Sequence, residues 1–326
     1  MQLPKNIWQL KGKNQCGPNV VVLGGTHGDE LTGIEIIKKI LAEFKLLDKP
    51  SGTYNLPDIK GNLFVGFGNP EAIKKQTRSA SGLRDLNRSF VKEELESPAK
   101  NNDSIDLKRA RELSPLLEDT DFLFDIHATS NPAPQFVCLT SYTPEYKKYL
   151  ELMPIENILI DPNNVITKEY NLPEPGTTDN YVYKYGGSQW GVKKFGYKQA
   201  LALCYETGFQ SDLSKLDEIF FTVIRMLSAT GVINDNELIK QSYYNFSFNS
   251  KQQIFKLTNC FKARYDGFVY QKNMDQGWQL VSKEQLLGKY SNGEEEYITN
   301  SGMLLFPLGA NKVTRGKSLY WLAKKI

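Results

Sequence analysis

The sequence predicts an α/β protein with a mixed central β-sheet flanked by helices, followed by a smaller C-terminal all-β domain. Residues 20–23 form an apolar run that ends at Gly24-Gly25, and apolar residues then recur at helical spacing. Two further apolar runs, 122–126 and 200–205, are typical of buried strands. From about residue 236, short β-like runs alternate with turn signals. We therefore predict one domain over residues 1–235 and another over 236–326.

Bulk composition excludes several classes of protein. The 326 residues carry a net charge of only +3, so no nucleic-acid or membrane partner is expected. The first residues lack the apolar core of a signal peptide, and no apolar stretch is long enough to span a bilayer. The four cysteines are widely spaced and form no CxxC pair, which favours reduced thiols and a cytoplasmic protein.

The two histidines of the chain both come where an apolar run ends. His27 follows the first run, with Glu30 three residues later in the first turn of the predicted helix, and His127 follows the run 122–126. Open α/β sheets bind their ligands at such strand ends. Two histidines and a glutamate form a zinc site with a fourth position free for water, which is the catalytic arrangement. The alternative is that each histidine is an ordinary polar residue near a strand end.

Two carboxylates accompany these strands. Asp125 lies two residues before His127, so both side chains point to the same face of the strand. Glu206 follows the run 200–205 and is a candidate general base for a zinc-bound water. Without a metal site, a glutamate in this position is more simply a residue that caps a helix or pins a loop.

A basic loop and a long irregular segment are the remaining candidate features. Arg78, Arg84 and Arg88 lie in a loop rich in glycine and serine, and guanidinium groups bind carboxylates through two parallel hydrogen bonds. The alternative is a solvated basic loop. Residues 167–198 are predicted to be irregular, either as an adaptable lid over a pocket or as a packed surface segment.

Five motifs occur in an order that resembles one family. VLGGTHGDELTG, GNPEA, RDLNRSF, DIHATSN and YETG together resemble the aspartoacylase and succinylglutamate desuccinylase family of zinc hydrolases, which have a carboxypeptidase A-like fold. The similarity covers most of the first 210 residues, and the C-terminal β unit is similar in kind. The resemblance implies one Zn²⁺ per chain, bound by His27, Glu30 and His127.

The resemblance also implies roles for residues around the metal. Asp85 matches the carboxylate that hydrogen-bonds to the first zinc histidine and fixes its tautomer. Asn87 and Arg88 match the pair that binds the substrate carboxylate. Arg78 matches the arginine that polarises the scissile carbonyl, although Arg84 competes for this role. Glu206 matches the general base.

One departure from the family concerns the substrate. The enzymes that act on N-acetylaspartate carry a substrate-binding tyrosine near the C-terminus, and here Arg315 in ANKVTRGKS is nearest to that position. The resemblance therefore does not extend to N-acetylaspartate as the substrate, and we count Arg315 as a candidate substrate-binding residue.

The resulting hypothesis is a zinc-dependent amide hydrolase that acts on a small anionic N-acyl amino acid, with a zinc-bound water activated by Glu206. A zinc carboxypeptidase acting on short peptides is one alternative, and a non-catalytic binding protein with the same fold is another. Homo-oligomerisation is left open.

Overall fold

The structure is a computed structural model that describes residues 2–12, 16–82, 84–195, 200–234, 237–244, 246–247 and 251–326. The strands are β1 (Ile7–Lys11), β2 (Asn19–Gly24), β3 (Thr53–Asn55), β4 (Asn62–Phe67), β5 (Phe122–Thr129), β6 (Phe136–Leu139), β7 (Asn157–Ile160), β8 (Leu201–Phe209), β9 (Gln253–Lys262), β10 (Phe268–Tyr270), β11 (Gln279–Val281), β12 (Leu286–Tyr290), β13 (Glu295–Tyr297), β14 (Gly302–Leu305) and β15 (Ser318–Lys325). The helices are α1 (Leu31–Glu43), α2 (Pro70–Lys75), α3 (Lys92–Glu96), α4 (Ile105–Glu118), α5 (Lys147–Leu150), α6 (Val165–Tyr170), α7 (Thr178–Tyr185), α8 (Gln189–Phe195), α9 (Leu216–Thr230) and α10 (Glu237–Tyr243).

The central sheet has 12 strands in the order β11-β14-β15-β9-β7-β6-β8-β5-β2-β4-β1-β3. In its middle, β4, β2, β5 and β8 run parallel, whereas β6 pairs antiparallel with β8. The predicted mixed sheet is thus confirmed. Because the carboxyl ends of parallel strands meet at one edge, the residues that end β2, β5 and β8 lie side by side there.

Both faces of the central sheet are covered by helices, as the continuous apolar runs predict. Val20 and Val22 of β2 belong to a core cluster that includes residues of α1 and α9. Val21 and Leu23 point to the other face and join a cluster that includes residues of α4 and α7. Successive residues of a strand point to opposite faces, so a strand buried on both sides is apolar over most of its length.

The C-terminal strands extend the same sheet and add a second one. β9 pairs in parallel with β7, and β15, β14 and β11 follow in the sheet. β10, β12 and β13 form a separate three-stranded sheet, so the predicted strand-rich C-terminal region is confirmed. The predicted boundary between residues 235 and 236 falls outside the described residues, and the division into two domains stays a prediction.

The prediction that residues 167–198 are irregular was wrong for the part that the structure describes. The segment holds most of α6 and all of α7 and α8, and residues 196–198 lie outside the described residues. Thr177 explains where α7 begins, because its side chain accepts a hydrogen bond from Asn180 N at 3.3 Å and caps the helix. Among the described helices, none is long and apolar enough to cross a membrane.

Candidate metal centre and active site

The predicted strand-end residues meet at the carboxyl edge of the parallel strands. His27 follows β2, while His127 and Glu206 stand opposite each other in the paired strands β5 and β8. Both strands run further than the apolar pattern predicts, because pairing between them continues beyond the apolar run. All three side chains are buried, so the site is built into the sheet edge.

The turn between β2 and α1 needs its glycines. Gly25 has a φ of 66°, a left-handed conformation that side chains other than glycine rarely adopt. Gly28 donates its N–H to Thr77 O at 2.9 Å, and a Cβ atom at Gly28 would lie 2.0 Å from the carbonyl carbon of Ala72. The turn is therefore pressed against α2, and this packing directs His27 towards the centre of the site.

His27, Glu30 and His127 form one compact cluster. The Glu30 carboxylate lies between the imidazoles, with Oε1 2.6 Å from His27 Nδ1 and Oε2 3.0 Å from His127 Nδ1. The two ring centroids are 4.8 Å apart. Candidate ligand atoms of the three residues all lie within 4.8 Å of one another. Both histidines thus present the same ring nitrogen, Nδ1, to a single point.

An aspartate stands behind each imidazole. Asp85 Oδ1 lies 3.3 Å from His27 Nε2, and Asp125 Oδ2 lies 3.1 Å from His127 Nε2. Asp125 is fixed in turn by Thr26, which donates to Oδ1 at 2.8 Å. A carboxylate on the outer nitrogen holds a metal-binding histidine in one tautomer and orientation. The structure therefore places Asp85 and Asp125 where the sequence predicts them.

Thr178 is a partner of Asp125 that the sequence analysis missed. Its hydroxyl donates to Asp125 Oδ2 at 2.5 Å, and its backbone N–H donates to Asn87 Oδ1 at 2.9 Å. One residue at the start of α7 thus links the metal cluster to the predicted substrate-binding asparagine. The run Thr-Thr-Asp-Asn at 177–180 is a helix-start signal that would have located it.

The electrostatics of the cluster favour a cation at its centre. Burial opposes charge on Glu30, but the charges of His27 and His127 outweigh it and lower the pKa of this carboxyl. Burial alone would lower the pKa of His127, whereas Asp125 and Glu30 raise it well above its usual value. The surrounding carboxylates therefore stabilise positive charge at a place where burial disfavours it.

Glu206 differs from the other carboxylates of the site. Burial raises its pKa to about 7, and the negative charge of Glu30 adds to this effect. Its Oε1 contacts only the Cys204 thiol, at 3.9 Å, and its buried Oε2 has no hydrogen-bond partner among the described residues. A carboxylate with a pKa near neutrality and a free oxygen is suited to take up and release a proton.

Arg78 lies over the metal cluster. Its Nε donates to Asp85 Oδ2 at 3.1 Å, and its Nη1 is 3.9 Å from Glu30 Oε1. The side chain is half exposed, so the guanidinium both contacts the cluster and faces the cleft. This position suits a group that donates hydrogen bonds to a substrate oxygen beside the metal.

Asp106 holds the loop that carries Arg78, and the sequence analysis missed it. Its buried carboxylate accepts hydrogen bonds from Asn69 Nδ2 at 2.7 Å, from Ala80 N at 3.2 Å and from Ser81 N at 2.9 Å. The hydroxyls of Ser79 and Ser81 donate to it as well. In the sequence it resembles any acidic residue in a first helical turn, so only the tertiary contacts reveal its role.

Asn87 and Arg88 lie in a buried 3₁₀ turn that faces the cleft. Arg88 Nη1 donates to Asn87 O at 2.5 Å, and the guanidinium lies 4.5 Å from the ring centre of Tyr170. The buried Arg88 Nε has no hydrogen-bond partner among the described residues. The sequence analysis did not single out Tyr170. Its ring packs against the face of the Arg88 guanidinium, so N–H groups at the edge of the guanidinium stay available for an anion.

The other two predicted arginines do not join this cluster. The Arg84 guanidinium pairs with the Glu94 carboxylate through both of its terminal nitrogens, and Arg84 is not among the residues that line the cleft. Arg315 is exposed and also does not line the cleft, although its neighbours Gly316 and Lys317 do. Of these two arginines, Arg78 is therefore the one that lies beside His27, Glu30 and His127.

These residues share one large cleft of about 1580 Å³. The metal cluster and Glu206 lie on its floor, and Arg78 and Arg88 lie on its walls. The C-terminal region closes one side, where Lys312 Nζ is 3.6 Å from Asp29 Oδ2 in the turn that carries the metal cluster. Lys262 and Lys317 also line the cleft, where Lys262 Nζ is 3.5 Å from Glu169 Oε2.

The donor set fits zinc. Two imidazole nitrogens and a carboxylate are the usual protein ligands of a catalytic zinc ion, and here an aspartate lies beside the outer nitrogen of each imidazole. The convergence of both Nδ1 atoms on Glu30 is the observation that supports the fit. His27, Glu30 and His127 are the residues that would hold the ion.

Sequence comparison matches residues 16–158 to the Succinylglutamate desuccinylase/Aspartoacylase catalytic domain. The matched segment contains His27, Glu30 and His127, and ends before Glu206. Residues 16–158 thus match the catalytic domain of the succinylglutamate desuccinylase/aspartoacylase family. The family resemblance expected from the five motifs is thereby confirmed.

Curated relatives of this family match parts of the chain. An N-acyl-aromatic-L-amino acid amidohydrolase of Xenopus tropicalis is 36% identical over 123 residues, which is 36% of each protein. A probable aspartoacylase of a Nostoc strain is 28% identical over 214 residues, or 64% of this chain and 63% of that protein. The chain thus spans only about a third of the length of the Xenopus relative.

Solved structures of this family share the whole fold. A succinylglutamate desuccinylase/aspartoacylase from Rhodobacter sphaeroides superposes with a TM-score of 0.65 at 17% identity, covering 98% of this chain and 87% of that one. Murine aminoacylase 3 superposes with a TM-score of 0.59 at 19% identity, covering 95% of each chain. At these identities the likeness establishes the fold of the chain, including its C-terminal strands.

Proposed function

We propose that the protein is a zinc-dependent hydrolase that cleaves the amide bond of a small N-acyl amino acid. The observation that carries the proposal is the arrangement on the cleft floor. A three-residue cluster of zinc ligands lies beside a buried glutamate with a free oxygen. The names of the curated relatives, an N-acyl-aromatic amino acid amidohydrolase and a probable aspartoacylase, support the same reaction class.

Glu206 is the general base in this proposal. Bound to His27, Glu30 and His127, a zinc ion would lower the pKa of a water molecule and polarise the scissile carbonyl. Glu206 takes a proton from the attacking water onto its carboxylate and returns it to the leaving amine nitrogen. Its pKa of about 7 makes both transfers accessible near neutral pH.

Two arginines orient and stabilise the substrate. Arg78 donates to the oxygen on which negative charge develops, which is typically worth about 2.7–4 kcal/mol per donor. Arg88, with Asn87 beside it, holds a carboxylate of the substrate and so reduces the entropic part of the barrier. Arg88 is suited to this role because Tyr170 already fixes its guanidinium plane.

The cleft favours small substrates over long peptides. The ion pair between Lys312 and Asp29 draws the C-terminal region against the turn that carries the metal ligands. Both residues of this ion pair line the cleft that contains Glu206. The cationic side chains of the cleft are consistent with an anionic N-acyl amino acid.

The test is a substrate screen with zinc-loaded protein. N-acetyl and N-succinyl derivatives of aromatic, aliphatic and acidic amino acids are incubated beside unblocked dipeptides, and release of the free amine is measured. We expect hydrolysis of at least one N-acyl class, with loss on chelation and recovery on adding zinc. Glu206→Gln protein, purified identically, controls for contaminating hydrolases.

Two results would contradict the proposal. Cleavage of dipeptides without cleavage of N-acyl amino acids would indicate a carboxypeptidase instead. Protein that binds zinc but hydrolyses neither class would indicate a binding protein that retains the fold.

A further inference from the structure

The last two residues of α6 contact different parts of the molecule. Tyr170 lines the cleft, and its ring centre lies 4.5 Å from the Arg88 guanidinium. Glu169, directly before it, also lines the cleft, but its carboxylate contacts the C-terminal strands β9 and β15. The end of α6 therefore connects the C-terminal region to the arginine that the proposed function assigns to the substrate carboxylate.

Glu169 is held by two residues that face each other in the sheet. Lys262 ends β9 and Ser318 begins β15, and the two are paired across these antiparallel strands. The Ser318 hydroxyl donates to Glu169 Oε1, and Lys262 Nζ lies 3.5 Å from Oε2. Lys262 Nζ also donates to the backbone oxygen of Glu169 at 3.3 Å. The Glu169 side chain is only 8% exposed, so a buried carboxylate with both oxygens engaged fixes the end of the helix.

α6 depends on contacts of this kind. It has only 6 residues, and a helix of this length is not stable by itself. At its start, Asp161 accepts hydrogen bonds from Val165 N at 2.8 Å and from Ile166 N at 2.9 Å, and Val165 is buried against residues of β9 and β15. Glu169 is the polar anchor at the other end, so its loss is expected to loosen the turn that carries Tyr170.

The guanidinium of Arg88 depends in turn on Tyr170. Gly176, farther along the chain, fixes only the backbone: its oxygen accepts a hydrogen bond from Phe90 N at 3.0 Å, and a Cβ atom on it would lie 2.6 Å from Arg88 O. The guanidinium donates to Asn87 O through Nη1, while the buried Nε has no hydrogen-bond partner among the described residues. The Tyr170 ring against the guanidinium face therefore restrains the plane in which its free N–H groups lie.

We propose that Glu169 is a positioning residue for carboxylate recognition. Tied to Lys262 and Ser318, it holds Tyr170 against Arg88 and so makes the C-terminal strands part of the carboxylate site. A guanidinium already held in one plane loses less side-chain entropy when it binds a planar carboxylate. The inference rests on the proposed function only in taking a substrate carboxylate as the anion that Arg88 binds.

The test compares N-acetyl-L-phenylalanine with its C-terminal amide, which lacks the carboxylate charge. The amino acid is of the aromatic class named for the Xenopus relative. Dissociation constants are measured by calorimetry on zinc-loaded Glu206→Gln protein, so that binding is read without turnover, and kcat/KM is measured on protein that keeps Glu206. We expect the parent protein to prefer the acid by roughly 10-fold or more, as for a hydrogen bond to a charged group.

Two variants should reduce this preference without changing the affinity for the amide. Tyr170→Leu should lower it by roughly 2- to 30-fold, the range of a cation–π contact. Glu169→Ala should lower it by a similar or smaller factor. Because Glu169 acts through Tyr170, the double variant should lose no more than Tyr170→Leu alone.

Two further variants are controls. Tyr170→Phe keeps an aromatic ring against the guanidinium and should keep the preference for the acid. Glu295→Ala should also keep it, because the Glu295 carboxylate lies 2.7 Å from Lys289 Nζ in the separate three-stranded sheet, and neither residue is among those that line the cleft. Equal losses in Tyr170→Phe and Tyr170→Leu would contradict the role of the ring.

Other results would overturn the inference as well. These are a parent protein that binds the acid no better than the amide, an unchanged preference in Glu169→Ala, and additive losses in the double variant. A merely structural role of Glu169 would weaken both ligands equally. If Glu169→Ala fails to fold, Glu169→Gln serves instead, because it keeps an acceptor for Ser318, loses the charge opposite Lys262 and should lose part of the preference.

Failure of the proposed function gives a different result. Protein whose preference for the acid depends on Glu169 and Tyr170, but which hydrolyses no N-acyl amino acid, would refute the proposed function and leave the inference intact.

Discussion

The two glutamates on the cleft floor share a residue type and burial but differ in their surroundings. Glu30 uses both oxygens, since His27 and His127 flank them and Ala128 N donates to Oε2 at 3.0 Å. Among the described residues, the buried Oε2 of Glu206 has no hydrogen-bond partner, and Oε1 accepts a hydrogen bond only from the Cys204 thiol. The pKa of Glu30 is lowered, while that of Glu206 is raised to about 7.

The two carboxylates are both buried, so the opposite directions of their pKa shifts follow from the difference in their charged neighbours. Glu30 is held ionised between two imidazoles and suits a permanent metal ligand. Glu206 lacks a directly paired cation, so burial dominates and the carboxyl exchanges a proton near neutral pH. Two carboxylates with opposite pKa shifts in one cleft are the usual sign of separate roles in acid–base chemistry.

The largest expected effect comes from neutralising each glutamate in turn. Glu206→Gln should reduce turnover by roughly 10²–10⁴-fold, the usual worth of a general base, and leave zinc content unchanged. Glu30→Gln should lower both zinc content and turnover. Metal analysis of dialysed protein, together with steady-state kinetics, distinguishes an effect on zinc content from an effect on turnover. Loss of zinc from Glu206→Gln would contradict the separate roles of the two glutamates.

The next effect concerns the substrate carboxylate. Arg88→Ala should lower kcat/KM by roughly 10- to 100-fold, corresponding to the loss of about 1.5–3 kcal/mol for a hydrogen bond to a charged group. Arg84→Ala is the matched control, because Glu94 already occupies its guanidinium. Equal losses of kcat/KM in both variants would indicate that the substitutions perturb the loop, and that the loss does not come from a contact between Arg88 and the substrate.

Asp106→Ala removes the carboxylate that holds the loop carrying Arg78, the arginine next to Glu30. Removing this buried acceptor should lower the free energy of unfolding by about 1–3 kcal/mol, since its donors lose their partner. Asp217→Ala is the control, because this exposed residue pairs only at the surface and should change stability by less than about 0.5 kcal/mol. Thermal or denaturant unfolding measures both.

The last prediction concerns the dependence of kcat/KM on pH. Glu206 must be ionised to accept a proton, so activity is present above its pKa of about 7 and falls as pH drops through it. Below that point kcat/KM should fall by about tenfold per pH unit. Glu30, whose pKa is lowered, stays ionised over the same range. A flat profile from about pH 5 to 8 would contradict the base assignment.

The sequence predicted those parts of the site that follow from local pattern. An apolar run that ends in glycine or a polar residue identifies a strand end, and this placed His27, His127 and Glu206 at one sheet edge. The roles of these residues in binding zinc and moving protons remain predictions.

Local sequence patterns could not predict the contacts between distant segments. Thr178 meets Asp125 across 53 positions and Thr26 meets it across 99, and no local periodicity encodes these pairs. The facing of Cys138 and Cys204 depends on the register of β6 against β8. Likewise, Arg78 and Arg84 occupy one loop, and only their acidic partners distinguish them.

The parallel pairing of β7 with β9 makes the final quarter of the chain part of the scaffold that carries the site. A protein that ended before residue 251 would leave β7 as an open sheet edge with unsatisfied backbone groups. Such edges recruit other strands and promote aggregation. Residues 1–250 are therefore not expected to remain dispersed on their own, whatever chemistry their side chains can perform.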